Sequence, residues 1–298
     1  MSGAAHESSR IPDPGSRIPF SDLHLHTTAS DGLETPEELV RSARDAGLLV
    51  IGVTDHDTLD AIPEAGRLAA QAGLGFVPGL EITAVWQGAD VHLLAHFVDA
   101  RAPRLAEFLR DQQSDRLNRA RRMGAKLAAL GVPVDVERVI GQCQGGVISR
   151  PLLARAMVEA GHVPDVGAAF DAYLGEGQAA FVPRTGATPA AVVSLVGADG
   201  GFVSLAHPGV TRRDDLLPAL AAGGLGAIEV YHPDHTPADI SRYLALAETL
   251  GVGVSGGSDY HGAGSHHAGG LGRIGLTAAE FDDFCSRAGR SVPLPVSS

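Results

Sequence analysis

Short apolar runs alternate with helical stretches along most of this chain, and most of those runs end on or beside a histidine or an acid. That pairing constrains the fold more than any other feature. The first run, residues 20–26, carries His24 and His26 one residue apart, so both point to the same face of a strand. Two imidazoles on one face can reach one metal ion, and Asp31 follows just past the strand. Thr35-Pro36-Glu37-Glu38 then reads as an N-cap, a proline at the first helical position and an acidic first turn. Residues 48–53 form a continuous apolar run, consistent with a strand covered on both faces. It leads into Thr54-Asp55-His56-Asp57. A helix to about residue 72 and a strand at 76–78 come next. Strand, helix and strand at this spacing predict parallel βα units.

Residues 79–83 and 90–94 read as further strands, placing Glu81 and His92 in apolar surroundings. The rhythm then stops. Leu105, Leu109, Ala120, Met123 and Leu127 keep a helical period, and shorter helical pieces follow near 135–140, 151–160 and 165–174. A helical insertion over 101–186 is therefore expected between barrel segments 20–100 and 187–290. The rhythm resumes with helix 190–196 and a strand at 201–206 ending in His207. Helix 214–222 and a strand at 227–231 ending in His232 follow. After helix 237–250, with Thr236 as its cap, strand 252–255 runs into Gly256-Gly257-Ser258-Asp259-Tyr260-His261. A last helix lies near 278–288. Residues 1–19 lack periodicity and are expected to be a disordered N-terminal tail, and 291–298 a C-terminal tail.

In a closed parallel barrel, the C-terminal ends of the strands converge on one face where catalytic groups collect. His24, His26, His56, Glu81, His92, His207, Asp259 and His261 would then meet in one pocket. Imidazole and carboxylate without thiolate suit Zn²⁺, Mn²⁺ or Fe²⁺. With Asp31 the set holds six histidines and three carboxylates, too many for one ion. Two or three divalent ions sharing ligands, with Glu81 bridging, are expected. Such clusters clamp the oxygens of a phosphoryl transfer and make hydroxide available near neutral pH. Three ions against three carboxylates leave a net positive pocket, which favours a phosphate dianion.

The ordered motifs D-L-H-x-H-T-x-x-S-D-G, T-D-H-D, G-x-E, V-H, A-H-P and G-S-D-x-H resemble the PHP (polymerase and histidinol phosphatase) family. Within it the chain is similar to the YciV/TrpH-type metal-dependent phosphoesterases, over about residues 20–276. The resemblance implies an α/β fold, a distorted (β/α)₇ TIM-like barrel with a trinuclear site. It implies that the nine residues above are the ligands, with Asp31, His56, Glu81, His207 and Asp259 at the reaction centre. It also implies hydrolysis of the 3′-phosphate of nucleoside 3′,5′-bisphosphates, and 5′→3′ trimming of short oligonucleotides. A histidinol-phosphate-like phosphatase and a non-catalytic binding module are the competing readings. The basic insertion argues against the first and the complete ligand set against the second.

Residues 101–126 hold eight basic and three acidic residues in a chain of net charge −12. Arg119, Arg122 and Lys126 are spaced to share one helical face, and most of these residues read as solvated. Ile148-Ser149-Arg150-Pro151 differs, because it sets an arginine at a helix start, where backbone N–H groups also attract anions. It resembles the branch's I-S-R segment. Arg150 is expected to hold the substrate's second phosphate, with Ser149 assisting and Arg184 as a weaker candidate. His232 and His235, after the 227–231 strand, are placed to bind phosphate or protonate the leaving oxygen. His96 reads as structural, and His266 and His267 as solvent-exposed. Asp22 and Asp57 are placed to orient imidazoles, and Asp55 to cap a loop.

The negative charge disfavours loose attraction to nucleic acid or anionic membrane. Cys143 and Cys285 are too few for a disulfide scaffold. The N-terminus lacks the pattern of a signal peptide, and no apolar run approaches the ~20 residues that span a bilayer. A cytoplasmic enzyme acting on a small nucleotide or short oligonucleotide, without membrane or obligate protein partner, is expected.

Overall fold

The computed structural model describes residues 19–142 and 148–294, so His6, Cys143, nearly all of the tail 1–19 and half of the tail 291–298 lie outside the described residues. Seven strands in sequence order form one curled sheet. They are β1 (Ser21–Leu25), β2 (Val50–Val53), β3 (Gly75–Trp86), β4 (Ala89–His96), β5 (Phe202–Leu205), β6 (Ala227–Tyr231) and β7 (Gly253–Gly256). The sheet curls back on itself: Tyr260, just past β7, bridges to Leu25 at the end of β1. The His26 N–H donates to the Tyr260 carbonyl at 3.0 Å across this seam.

Helices α1 (Pro36–Asp45) and α2 (Ile62–Ala72) join the first three strands. Thr35 and Glu38 form a reciprocal capping box on α1, as the Thr-Pro-Glu-Glu signature predicts. Then come α3 (Pro103–Ala129), α4 (Val136–Gln142), α5 (Arg150–Glu159), α6 (Val166–Ala169) and a π-helical turn at Phe170–Leu174. The return to the sheet uses α7 (Pro189–Ala198), α8 (Pro208–Thr211), α9 (Leu217–Ala222), α10 (Pro237–Leu250) and α11 (Ala278–Ala288). Among the described residues, no helix is long and apolar enough to cross a membrane.

The sheet is not wholly parallel, contrary to the sequence reading. β4 runs antiparallel to both β3 and β5. The cause is local: only Gln87 and Gly88 separate β3 from β4, with φ of 49° and 85°. Two residues with positive φ make a tight hairpin turn, whereas a parallel crossover needs a dozen residues or more. A second difference follows: the strands expected at 76–78 and 79–83 are one continuous strand that changes partner. Gly75–Pro78 pairs with β2, and Gly79–Trp86 pairs with β4.

Three apolar clusters stabilise the molecule. The largest lies between the sheet and α7, α9, α10 and α11, around Leu80, Leu93, Ile228 and Phe284. A second sits under α1 and α2, around Leu39, Ile51 and Ala65. The third belongs to the helices from the middle of α3 onward, where Met123, Leu127, Leu153, Met157 and Leu174 pack together. The helical segment thus buries apolar surface of its own and stands as a layer over one end of the sheet.

Candidate metal centre and anion pocket

β1 is buried along its whole length, and the i, i+2 spacing delivers both His24 and His26 to the same interior point. Glu81 and His92 arrive from the hairpin instead of from parallel strand ends. His92 pairs in register with Thr83, two residues from Glu81, so all three project from one face. The remaining groups come from segments that follow strands: His56 after β2, His207 after β5, Asp259 and His261 after β7. His207 and Asp259 hold φ of 26° and 49°. Such left-handed backbone costs energy in non-glycine residues and concentrates at functional sites.

The nine residues converge. Glu81 Oε2 lies 3.1 Å from His24 Nε2, and 3.3 Å from both His26 Nε2 and His56 Nδ1. Its other oxygen lies 2.7 Å from His92 Nδ1 and 3.1 Å from His207 Nε2. Asp259 Oδ1 stands 3.2 Å from His24 Nε2 and 3.1 Å from His26 Nε2. Asp31 Oδ1 meets His261 Nε2 at 3.2 Å. Among the described residues, five groups have ligand atoms close enough to share an ion. Three overlapping ones are built from these nine residues: His26, Asp31, His56 and His261; His24, His26, Glu81 and Asp259; and His56, Glu81 and His92. The other two are His232, Asp259 and His267, and Asp234, His266 and His267. Glu81 belongs to two of the first three, as a bridging carboxylate would.

The donor set fits divalent cations on a further ground. His26 Nδ1 and Nε2, Asp31 Oδ1, His56 Nδ1 and His207 Nδ1 are buried without a hydrogen-bond partner. Buried polar atoms are nearly always satisfied, so a run of such atoms around one centre marks a place for ions. The charges agree. Burial alone would raise Glu81 and Asp259, yet the surrounding imidazoles hold both well below the usual carboxylate range. Burial would lower His26, but Asp259 and Glu81 bring it up to about 10. His56 goes the other way, to about 4, because burial outweighs Glu81 and Asp31.

One residue of this centre is missing from the sequence reading. Glu229 is fully buried on β6, accepts from His24 Nδ1 at 2.9 Å and accepts the His207 backbone N–H at 2.7 Å. It fixes the tautomer of one candidate ligand and the backbone of another, as partners of metal-binding histidines do. A lone carboxylate inside the apolar run Ala-Ile-Glu-Val-Tyr was its signal. Asp22 and Asp57 do not play the part expected for them. Asp22 accepts backbone N–H groups of His24 and Ser258, and Asp57 pairs with Arg116 and the Thr83 N–H. Asp55 caps the loop after β1 through Thr27 and Ser30.

The expected substrate residues separate. His232 is buried beside the cluster, with Nε2 3.5 Å from Asp259 Oδ2. His235 does not face substrate: Nδ1 donates to the Val230 carbonyl at 2.8 Å, and Nε2 accepts the Gly209 N–H at 3.0 Å. Both nitrogens are engaged by backbone. His267, read as exposed, instead turns inward, 3.2 Å from both Asp259 Oδ2 and Asp234 Oδ2. Its neighbour His266 is exposed, as expected.

Beside the cluster lies a cavity of about 180 Å³. Asp31, His56 and His92 line one wall; Arg116, Arg119, Arg150 and Arg184 line the other, with Ser149. Arg116 and Arg119 are buried, so α3 turns them inward while Arg122 and Lys126 face solvent. The shared solvated face expected for Arg119, Arg122 and Lys126 is thus split. Burial and the neighbouring guanidiniums lower Arg119 and Arg184 to about 10, which still leaves both charged at neutral pH. Ser149 caps no helix N–H, and its hydroxyl is buried without a partner.

A PHP domain profile matches residues 22–120. The chain is 33% identical over 247 residues to the 5′-3′ exoribonuclease Rnm of Escherichia coli (strain K12), covering 80% of this chain and 84% of that one. It is 34% identical over 252 residues to the 3′,5′-nucleoside bisphosphate phosphatase of Chromobacterium violaceum, covering 82% and 87%. A solved Bifidobacterium adolescentis structure, classed with the metal-dependent phosphoesterases, superposes with a TM-score of 0.81 at 32% identity, covering 91% and 98%. With the ordered motifs, the curled seven-strand sheet and this similarity along most of its length, the chain belongs to the PHP-domain family.

Proposed function

We propose that the protein is a metal-dependent phosphoesterase that cleaves a phosphate ester in a nucleotide carrying a second phosphate. Nucleoside 3′,5′-bisphosphates and 5′-phosphorylated short oligonucleotides are the substrates. The observation that carries this is the shared wall between the ligand cluster and the guanidinium pocket. One phosphate sits on the cluster while the other enters the pocket. There, four guanidiniums face two carboxylates, Asp57 and Asp90, leaving charge for a dianion.

Three divalent ions, Mn²⁺ with Zn²⁺ or Fe²⁺ as alternatives, fit the three overlapping groups. Ions bound there supply Lewis acidity and make hydroxide available near neutral pH. The nine cluster residues would hold them: eight form the three groups, with Glu81 in two, and His207 lies against Glu81 at 3.1 Å. Glu229 keeps His24 aimed inward. Arg150, aided by Ser149, Arg119 and Arg184, grips the second phosphate and so sets the ester bond over the cluster. Arg suits this because its planar fork matches phosphate. The relatives' activities, on nucleoside bisphosphate and on RNA, concern the same chemistry.

The test compares adenosine 3′,5′-bisphosphate with an aryl phosphate in Mn²⁺, for wild type and Arg150→Ala. Loss of a charge-assisted contact should lower kcat/KM on the bisphosphate roughly 10–100-fold. The aryl phosphate, which has no second anion, should change less than about threefold. Equal losses on both would remove Arg150 from second-phosphate binding. Turnover of histidinol phosphate alone would reassign the substrate class.

A further inference from the structure

A second opening leaves the cluster on another side. It is a groove of about 360 Å³ between α5 and the loop after β7. Asp31, Asp259 and His261 form its floor, Leu152 and Arg155 one wall, and His266 the other. A bisphosphate needs only the guanidinium pocket, which leaves this larger space without a use. We infer that the groove is the subsite for the nucleotide beyond the scissile phosphate, with Arg155 and His266 as its specificity-determining contacts. This rests on the function proposed above.

Three observations support it. The groove and the guanidinium pocket share Asp31, Ser149 and Pro151 in their walls, so a phosphate on the cluster has room for a nucleotide on either side. Arg155 is exposed and, among the described residues, has no carboxylate partner, so it is available to a backbone phosphate. The His266 side chain is 84% exposed, with its Nε2 3.6 Å from Asp234 Oδ1, which leaves the ring face open, and its ring centroid 4.7 Å from that of His267. A base can stack on such a ring whatever its identity. A third cavity opens over His207 and His232, but its rim carries Asp234 and no arginine or lysine, which disfavours a phosphate chain.

The step balances as a hydrolysis. Water adds to phosphorus, and the bond to the ribose 3′ oxygen of the first nucleotide breaks. That oxygen leaves protonated in the guanidinium pocket. Phosphorus stays on the second nucleotide, in the groove, as its new 5′-phosphate.

The experiment measures kcat/KM in Mn²⁺ for a 5′-phosphorylated adenosine RNA trimer and for adenosine 3′,5′-bisphosphate. The ratio of the two is taken for wild type, Arg155→Glu and His266→Ala, so bisphosphate turnover is the internal reference for folding. Arg155→Glu should lower the trimer-to-bisphosphate ratio at least tenfold, mainly through KM. His266→Ala should lower it about threefold or more. Ratios unchanged in both variants would overturn the assignment. So would a wild type that hydrolyses the bisphosphate and leaves the trimer intact, which would confine the proposed function to the bisphosphate. If wild type hydrolyses neither, that function falls and the groove assignment with it.

Discussion

His92 and His96 stand on the same strand, yet their ring nitrogens meet different partners. His92 Nδ1 faces Glu81, whereas His96 Nε2 donates to the Leu23 carbonyl at 3.0 Å, and its ring lies edge-on to Phe284. His96 is fully buried, and burial pushes its pKa down to about 4 despite the Leu23 carbonyl and the Glu229 charge, which pull it up. It is therefore neutral in the fold, while in the unfolded chain it titrates near an ordinary ~6.5. Between those values the unfolded state binds a proton that the folded state refuses. The contribution is complete above about pH 6.5, declines as pH falls, and by about pH 4 has cost roughly 3 kcal/mol. Urea unfolding at steps from pH 7 to 5 should show this decline, and His96→Gln should flatten it. Coincident slopes for the two proteins would contradict the account.

At the scale of elements, the seam between β7 and β1 positions the cluster. The segment after β7 is held by β6 and β1 together: the Gly257 N–H donates to the Tyr231 carbonyl at the end of β6 at 3.0 Å, and the Ser258 N–H donates to Asp22 Oδ1 on β1 at 3.0 Å. A Cβ on Gly257 would fall 2.3 Å from the His24 Cβ and 2.5 Å from its backbone nitrogen. Neither atom can swing away, so Gly257→Ala must move the strand that carries His24 and His26. Overpacking of this kind costs about 1–3 kcal/mol. Both Tm and the metal bound per chain should fall. Gly141→Ala on α4 is the control, since no described residue beyond its own helix and chain neighbours lies within 4 Å of its added carbon. It should leave Tm level or raise it slightly, helix propensity favouring alanine by about 1 kcal/mol. Bound metal unchanged in Gly257→Ala would show that the seam does not set the cluster.

The whole molecule gathers buried carboxylates and imidazoles from both halves of its sheet, so ions there tie the halves together. Binding to the folded state alone stabilises it by about 2.7 kcal/mol at a hundredfold excess over Kd. For a chain of 298 residues that corresponds to roughly 4 °C in Tm. Thermal scans of EDTA-dialysed protein with and without added Mn²⁺ should differ by about that amount, and the gain should vanish when chelator is restored. An unchanged Tm would deny the cluster its ions.

The sequence alone determined what depends on near neighbours. Strand and helix runs, the Thr35 cap and the positions of the nine ligand-type residues are legible because a few adjacent side chains set each one. The convergence of those residues was legible too, since strand ends in a curled sheet share a face. Tertiary structure decided the rest. The Gln87-Gly88 turn reverses β4, and long-range pairing then sets Glu81 beside His92. Glu229 becomes a partner of His24 only because β6 and β1 are brought together across the interior. Arg116 and Arg119 turn inward while Arg122 and Lys126 do not, because α3 packs one face on the other helices of its segment and beside Asp57 and Thr83, and leaves the other in water. In each case burial and pairing partners come from residues far away in the chain, and a local pattern does not encode them.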